Sequence, residues 1–222
     1  MVNSIDLYEL LKSEIVCSKY PEIEIVPLVQ KQGFFPICTG TIDGSMDLSK
    51  LKVMVVGQDF GTKTDFIKKK ISEKGENTEK QSTWKNLIPM LKNLGIEPSD
   101  CFYTNLLFGL RDSVSNVGIS PSIGNKDYIE HSNDFFEKQM DALKPNLIIF
   151  LGKVTFAINK GITDKKQIEK INYIKSIREL NKTKQEYKGI NCLYMIHPSY
   201  RAQQISKKLW SEEEECLLVE KY

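Results

Sequence analysis

The chain has 222 residues, of which 41% are hydrophobic and 27% charged, a composition typical of one compact soluble domain or of two small ones. Its 31 basic and 29 acidic residues give a formal net charge of +2, which excludes a strongly basic field over the whole protein, so any nucleic-acid binding must use a local patch. The five cysteines include no CxxC pair and the two histidines form no HExxH motif, which disfavours a disulfide framework and a zinc site.

Four short apolar runs that end in small or polar residues predict buried strands, at residues 52–57, 101–108, 147–152 and 191–197. A first helix is predicted between the first two strands, with Ser82 or Thr83 as N-cap and Gly95 at its end. A second helix is predicted over residues 128–143, before Pro145. Buried strands that alternate with helices predict an α/β layered domain with a parallel sheet and right-handed crossovers.

Three further segments flank or interrupt this core. Residues 4–12 predict a capped N-terminal helix, and the acidic residues 211–222 predict a helical tail. Residues 162–188 carry seven lysines, one arginine and four acids around regularly spaced isoleucines, which predicts an amphipathic helix followed by a polar loop. We interpret its charged face as a solvated surface rather than as a dedicated nucleic-acid site.

Polar residues follow three of the predicted strands, at the edge where open parallel sheets bind ligands. Asp59 comes after the first strand, Asn105 lies in the second, which leads to Arg111, and His197 ends the fourth. The sequence therefore predicts that an aspartate, an asparagine and a histidine converge on one edge of the sheet.

The motifs around these residues resemble the uracil-DNA glycosylase superfamily. They are GQDFGT, YTNLLFGLR, LKPNLIIFLGKVTFAI and HPSYRAQ, which lie within residues 51–203. The GQD segment is similar to the first motif of the main uracil-specific branch, whereas Phe60 and Gly61 replace the proline and tyrosine found there. The resemblance implies a three-layer α/β/α fold with a central four-stranded parallel sheet, formed by a single domain over residues 1–222.

The resemblance implies a DNA glycosylase of base-excision repair, which hydrolyses the N-glycosidic bond of uracil or a related damaged pyrimidine flipped out of DNA. Breaking this bond leaves positive charge on the sugar and negative charge on the base. By resemblance, Asp59 would stabilise the sugar cation and position the attacking water, and His197 would donate a hydrogen bond to the departing base. The Asn105 amide would pair with O4 and N3–H of uracil and mismatch cytosine.

Further contacts to the base and to DNA are implied by the same resemblance. Backbone N–H groups around Gln58 would complete the base pocket, and Phe60 or Phe66 would provide the aromatic platform under the base. Residues implied to contact DNA are Thr83, Ser199, Tyr200 and Arg201. Either Tyr200 or Arg201 would fill the gap left by the flipped base.

Selectivity for uracil over thymine is a hypothesis that follows from Asn105 and is weakened by Gly61. In the uracil-specific branch, a tyrosine at the position of Gly61 blocks a 5-methyl group. Two alternatives to a uracil glycosylase also stay open. One is a member of the fold that binds a nucleic acid or nucleotide with weak or no catalysis, and the other is a hydrolase acting on another modified base or a free nucleoside.

The expected partner is DNA that contains uracil or another altered pyrimidine, bound by a monomer that uses neither cofactor nor metal. One aspartate beside one histidine provides too few ligands for a metal-dependent nuclease, and the chain lacks the close cysteine pair of the iron–sulfur branch. The apolar runs are shorter than the roughly 18 residues that span a bilayer, and no signal-peptide pattern begins the chain. We therefore expect a cytoplasmic protein without a membrane partner.

Overall fold

The computed structural model describes residues 51–59, 61–62, 64, 82–108, 111, 115 and 118–199. In this part of the chain five strands form one sheet: β1 Val53–Gly57, β2 Cys101–Asn105, β3 Leu147–Leu151, β4 Gln185–Tyr187 and β5 Ile190–Met195. Their order is β2-β1-β3-β5-β4, and all neighbours pair in parallel except β4, which is antiparallel to β5. The predicted α/β class is confirmed, and β4 adds a short edge strand to the four predicted parallel strands.

Helices pack on both faces of this sheet: α1 Ser82–Asn93, α2 Lys126–Leu143, α3 Lys153–Asn159, α4 Lys165–Lys170 and α5 Tyr173–Leu180. Successive residues of each central strand point to opposite faces. Val55 joins the core cluster that includes Trp84 and Leu87 of α1, whereas Met54 and Val56 join the larger cluster formed with the other helices. The sheet is therefore the middle of three layers.

The ends of α1 follow from local sequence. Gly95 adopts the left-handed conformation (φ 69°) just after the helix, and the Ile96 N–H returns to the Leu91 carbonyl at 2.9 Å, which ends the helix as predicted. The helix begins at Ser82, so Ser82 and Thr83 both lie in its first turn and neither is the N-cap.

The helix α2 begins two residues before the predicted start, at Lys126. The Asn125 side chain accepts a hydrogen bond from the Tyr128 N–H at 3.1 Å and so caps the helix. At the other end Lys144 adopts the left-handed conformation (φ 48°) before Pro145, which confirms the predicted stop.

The single amphipathic helix predicted within residues 162–188 is wrong. The chain forms two short helices, α4 and α5, separated by extended backbone at Ile171 and by Asn172, whose side chain caps α5. Ile168 of α4 and Ile177 of α5 are both fully buried, so each helix anchors itself separately in the core. The predicted polar loop contains β4, which pairs with β5. Isoleucine spacing alone did not distinguish one helix from two, because a capping residue interrupts the period.

The predicted helices at residues 4–12 and 211–222 lie outside the described residues. No helix in the described ranges is both long enough and apolar enough to cross a bilayer.

Candidate active site

Three polar residues leave the sheet at the edge formed by the carboxyl ends of its parallel strands. Gly57 lies opposite Asn105 in the register of β1 and β2, and the last residues of β3 and β5 also lie opposite each other. Asp59 is two residues beyond Gly57, and His197 is two residues beyond the end of β5. The topology therefore brings Asp59, Asn105 and His197 to the same edge, as the sequence predicts.

The Asp59 carboxylate is buried and held by three donors. Its Oδ2 accepts from Arg111 Nε at 2.9 Å and from Gln58 Nε2 at 2.7 Å, and its Oδ1 accepts from the Gly61 N–H at 3.0 Å. The side chains of Asp59 and Arg111 are each only 5% exposed. Asp59 is thus one half of a buried ion pair with a fixed orientation.

Arg111 ties the segment after β2 to the segment after β1. Its Nη2 donates to the Gly118 carbonyl at 2.9 Å, and its backbone N–H donates to the Gly61 carbonyl at 2.7 Å. Sequence reasoning noted Arg111 only as the residue to which the second strand leads and missed its ion pair. The sequence did contain a signal for this ion pair. Arg111 directly follows the apolar run 106–110, which indicates a buried position, and a buried guanidinium needs an anionic partner.

The loop that carries His197 is held from two sides. Asn86 of α1 donates from Nδ2 to the Pro198 carbonyl at 3.0 Å, and the Ser199 N–H donates to the His197 carbonyl at 2.8 Å. On the other side lies Gly152 (φ 92°), where a Cβ would come within 3.2 Å of the His197 Cβ. A glycine at position 152 therefore allows both the left-handed backbone conformation and the close approach of His197.

The imidazole of His197 shares one electrostatic environment with the ion pair. Burial lowers the pKa of His197, the Asp59 carboxylate raises it, and the Arg111 guanidinium lowers it, with a net shift below the ordinary value. His197 is therefore neutral at pH 7 and has one ring N–H available to donate.

Asn105 differs from the other buried amides of the described residues. Asn86, Gln139 and Asn181 are buried and each donates a hydrogen bond to a backbone carbonyl. Asn105 is 2% exposed, and no hydrogen bond joins its side chain to another described residue. Because buried amides are normally satisfied, this amide is suited to bind a polar group of a ligand.

A comparison with known protein families identifies the family of the chain that forms this edge. The family model described as Uracil DNA glycosylase superfamily matches residues 44–217. The chain belongs to the uracil DNA glycosylase superfamily. This confirms the family that the four motifs resemble, and the matched range includes Asp59, Asn105, Arg111 and His197. A comparison with curated proteins finds no match.

In this superfamily member, two of the predicted DNA contacts fall within the described residues. Thr83 is partly exposed in the first turn of α1, one helical turn before Asn86 and on the same face. Ser199 is also partly exposed and follows Pro198. Four predicted contact residues fall outside the described residues: Phe60, Phe66, Tyr200 and Arg201. All six assignments stay predictions.

Gln58 and Gly61 have roles in holding Asp59 that the sequence did not predict. Gln58 donates to the Asp59 carboxylate and, at 3.4 Å, to the Gly118 carbonyl. Gly61 has a left-handed backbone (φ 79°) that directs its N–H to Asp59. The glycine is therefore required by the backbone, independently of any effect of a missing tyrosine on pocket size.

The cysteines within the described residues are buried thiols. Burial raises the pKa of Cys101 to about 12 and also raises the pKa of Cys192, so neither is a thiolate at neutral pH. Across the same described residues, no group of three or more His, Cys, Asp or Glu side chains is arranged to hold a metal ion.

The lowered pKa of His197 predicts a specific pH dependence of stability. Between the folded pKa and the ordinary value of 6.5, only the unfolded chain takes up the proton. The contribution of His197 to the free energy of unfolding is therefore largest above pH 6.5 and falls as the pH decreases through that window. Urea unfolding from pH 5 to pH 8 should show a weaker acid-side loss in His197→Gln than in His131→Gln or the wild type. Identical pH dependence in all three proteins would contradict this assignment.

Proposed function

We propose that the protein is a monomeric DNA glycosylase of base-excision repair, which removes uracil or a related damaged pyrimidine from DNA without a metal or cofactor. The observation that carries this proposal is the position of Asn105, which is 2% exposed, makes no side-chain hydrogen bond to another described residue, and leaves the sheet at the same edge as Asp59 and His197. Membership of the uracil DNA glycosylase superfamily supports the reaction class.

The amide of Asn105 reads the base edge. Its carbonyl oxygen accepts the N3–H of uracil, and its NH₂ group donates to O4. Cytosine presents an acceptor at N3 and an amino donor at C4, so the same amide orientation opposes like groups at both positions. Because Asn105 is 2% exposed, solvent does not readily repair these mismatches, and in this amide orientation uracil is favoured over cytosine.

His197 and Asp59 share the charge that develops as the bond breaks. The C1′–N1 bond of the flipped nucleotide breaks with its electron pair on the base, and the neutral His197 imidazole donates an N–H to O2 of the resulting anion. Asp59 faces the cationic sugar and orients a water that adds to C1′. The water loses its proton to the carboxylate or solvent, and the base leaves as an anion that solvent protonates.

The nucleotide must leave the duplex before it reacts, which costs a few kcal/mol of unstacking for a paired base. We propose that Thr83 and Ser199 contact the DNA backbone on either side of the His197 loop, and that Tyr200 or Arg201 fills the vacated space. Phe60 or Phe66 stacks on the extruded base, and backbone N–H groups at Gln58 complete the pocket. These contacts are local, as a net charge of +2 requires.

One observation favours a second candidate, a member of the fold that binds nucleic acid or a nucleotide with weak or no catalysis. The negative charge of Asp59 is compensated by Arg111, so the carboxylate stabilises a sugar cation less than a bare carboxylate does. The two candidates differ in whether the wild-type chain breaks the N-glycosidic bond.

The test is a single-turnover assay of the full chain on labelled oligonucleotides that contain uracil in single strands, opposite guanine or opposite adenine, followed by alkali to cleave abasic sites. We expect abasic sites from each uracil substrate, with the same rate in EDTA. A thymine·guanine duplex tests selectivity, since thymine release at a rate comparable to uracil release overturns uracil selectivity. Tight binding without release of any base favours the second candidate.

Replacing Asn105 with alanine is expected to slow uracil release by about 30- to 10⁴-fold, because two polar groups of the buried base lose their partners at about 1–3 kcal/mol for each unsatisfied group. The matched control is Asn146→Ala, because Asn146 is exposed and precedes β3 at the opposite edge of the sheet. Equal rates for both variants would show that Asn105 does not read the base.

A further inference from the structure

The buried cation of Arg111 has no explanation in the reaction proposed above. Its guanidinium is 5% exposed and gives its Nε–H to the reacting carboxylate rather than to substrate. It also donates to the Gly118 carbonyl, and its backbone N–H donates to Gly61, the residue whose own N–H holds the other carboxylate oxygen. Arg111 thus contacts Asp59 directly and also fixes a second donor to it.

The hydrogen bonds to Asp59 distinguish its two oxygens. A carboxylate offers about four acceptor positions, two on each oxygen. Oδ2 accepts from both Arg111 and Gln58, which uses its two positions, whereas Oδ1 accepts from a single donor among the described residues, the Gly61 N–H. Within the described part of the chain, one acceptor position on Oδ1 is therefore left for a further donor, and a water is the donor that the reaction requires.

We propose that Arg111 is a positioning residue that holds Asp59 in the one orientation in which Oδ1 receives the attacking water. This inference rests on the proposed glycosylase function and assigns that reaction a residue that acts only through the carboxylate. The guanidinium supplies donors in a rigid fork, which matches Asp59 on one side and the Gly118 carbonyl on the other. A lysine would supply the charge without the fork.

The same cation limits the effect of Asp59 on His197. The carboxylate raises the pKa of His197, and the guanidinium opposes this shift. The charged groups that act on the imidazole from the described elements are these two, one after β1 and one after β2. The ion pair therefore allows a carboxylate to lie near the imidazole while the imidazole stays neutral, the state in which it donates to O2 in the proposed reaction.

A double-mutant cycle tests the assignment on the full chain. Single-turnover rates at saturating protein would be measured for wild type, Arg111→Ala, Asp59→Asn and the double variant on a uracil·guanine duplex. Binding would be measured separately on the same duplex carrying 2′-fluoro-2′-deoxyuridine, which resists cleavage. Arg178→Ala is the matched control, because Arg178 is exposed in the last turn of α5.

We expect Arg111→Ala to lower the rate about 10- to 10²-fold while binding changes less than about twofold, because positioning affects the reacting geometry and not the uniform binding of DNA. In the Asp59→Asn background the same substitution should change the rate less than about threefold. Millimolar guanidinium should restore part of the activity of Arg111→Ala, and Arg111→Lys should lie between the alanine variant and the wild type. A purely structural role would show no guanidinium rescue.

Equal fractional losses in both backgrounds, or a loss confined to DNA binding, would overturn the role of Arg111 and leave the glycosylase proposal intact. A wild-type protein that releases no base overturns both. If Arg111→Ala fails to fold, the same cycle is run with Arg111→Lys, for which a rate equal to the wild type overturns the proposal.

Discussion

Asp59→Asn is expected to lower the single-turnover rate of uracil release by about 10²- to 10³-fold, the usual loss for removing one electrostatic element from an active site. Asparagine carries no charge to stabilise the sugar cation. All three groups that now donate to the carboxylate would oppose the NH₂ group of asparagine in one of its two orientations. In one orientation the NH₂ faces the Gly61 N–H, and in the other it faces the donors of Arg111 and Gln58. Both effects act on the transition state, so the rate should fall more than the affinity for uracil-containing DNA.

The same substitution leaves the Arg111 cation buried without its partner, which typically costs about 3–5 kcal/mol of stability. Urea unfolding must therefore accompany the assay. The Asp59→Asn/Arg111→Ala variant removes both charges, and it should recover stability relative to Asp59→Asn without recovering activity. Asp141→Asn, an exposed change on α2, is the matched control. If activity returns together with stability in the double variant, the carboxylate has only a structural role.

His197→Gln is expected to slow uracil release by about 10²-fold, because the anion of the departing base loses a positioned donor. Glutamine keeps a polar side chain of similar length but not the geometry of the ring. The close approach of His197 to Gly152 leaves little room for the side chain to adjust. The rate is the measurement, on single- and double-stranded uracil substrates.

A comparison of two leaving groups distinguishes the proposed donation by His197 from a loss of folding in the variant. A base that leaves more readily as an anion, such as 5-fluorouracil, needs less help from a donor, so its release should be slowed less by His197→Gln than that of uracil. His131→Gln replaces the other histidine of the chain and should leave both rates unchanged. Equal slowing of both bases by His197→Gln would refute the proposed donation to O2.

Much of the fold was predictable because its signals are local. Apolar runs of strand length and helix stop signals such as Gly95 and Pro145 depend on residues within a few positions of each other, and they predicted four strands and the first two helices. The weakly buried strand β4 and the separation of α4 from α5 were missed. Both depend on what the segment packs against, since β4 gains its ladder only by pairing with β5.

The candidate site was likewise predicted only in part from the sequence. Asp59, Asn105 and His197 were found because each follows or ends a recognisable strand, and parallel strands place their carboxyl ends together. Asn86 and Gly152 were missed because their importance lies in contacts with the His197 loop, and the Asn86 contact to Pro198 joins residues 112 positions apart. Neither residue stands out from its neighbours along the chain.

The sequence by itself determined the layered α/β architecture, the family, and which polar side chains reach the carboxyl edge of the sheet, because alternation and strand ends are properties of neighbouring residues. Only the tertiary structure decided the state of those side chains. It pairs Asp59 with Arg111 across 52 positions, leaves the amide of Asn105 without a partner among the described residues, and lowers the pKa of His197 through burial. Charge compensation, burial and hydrogen-bond satisfaction depend on distances through space, which residue spacing along the chain does not contain.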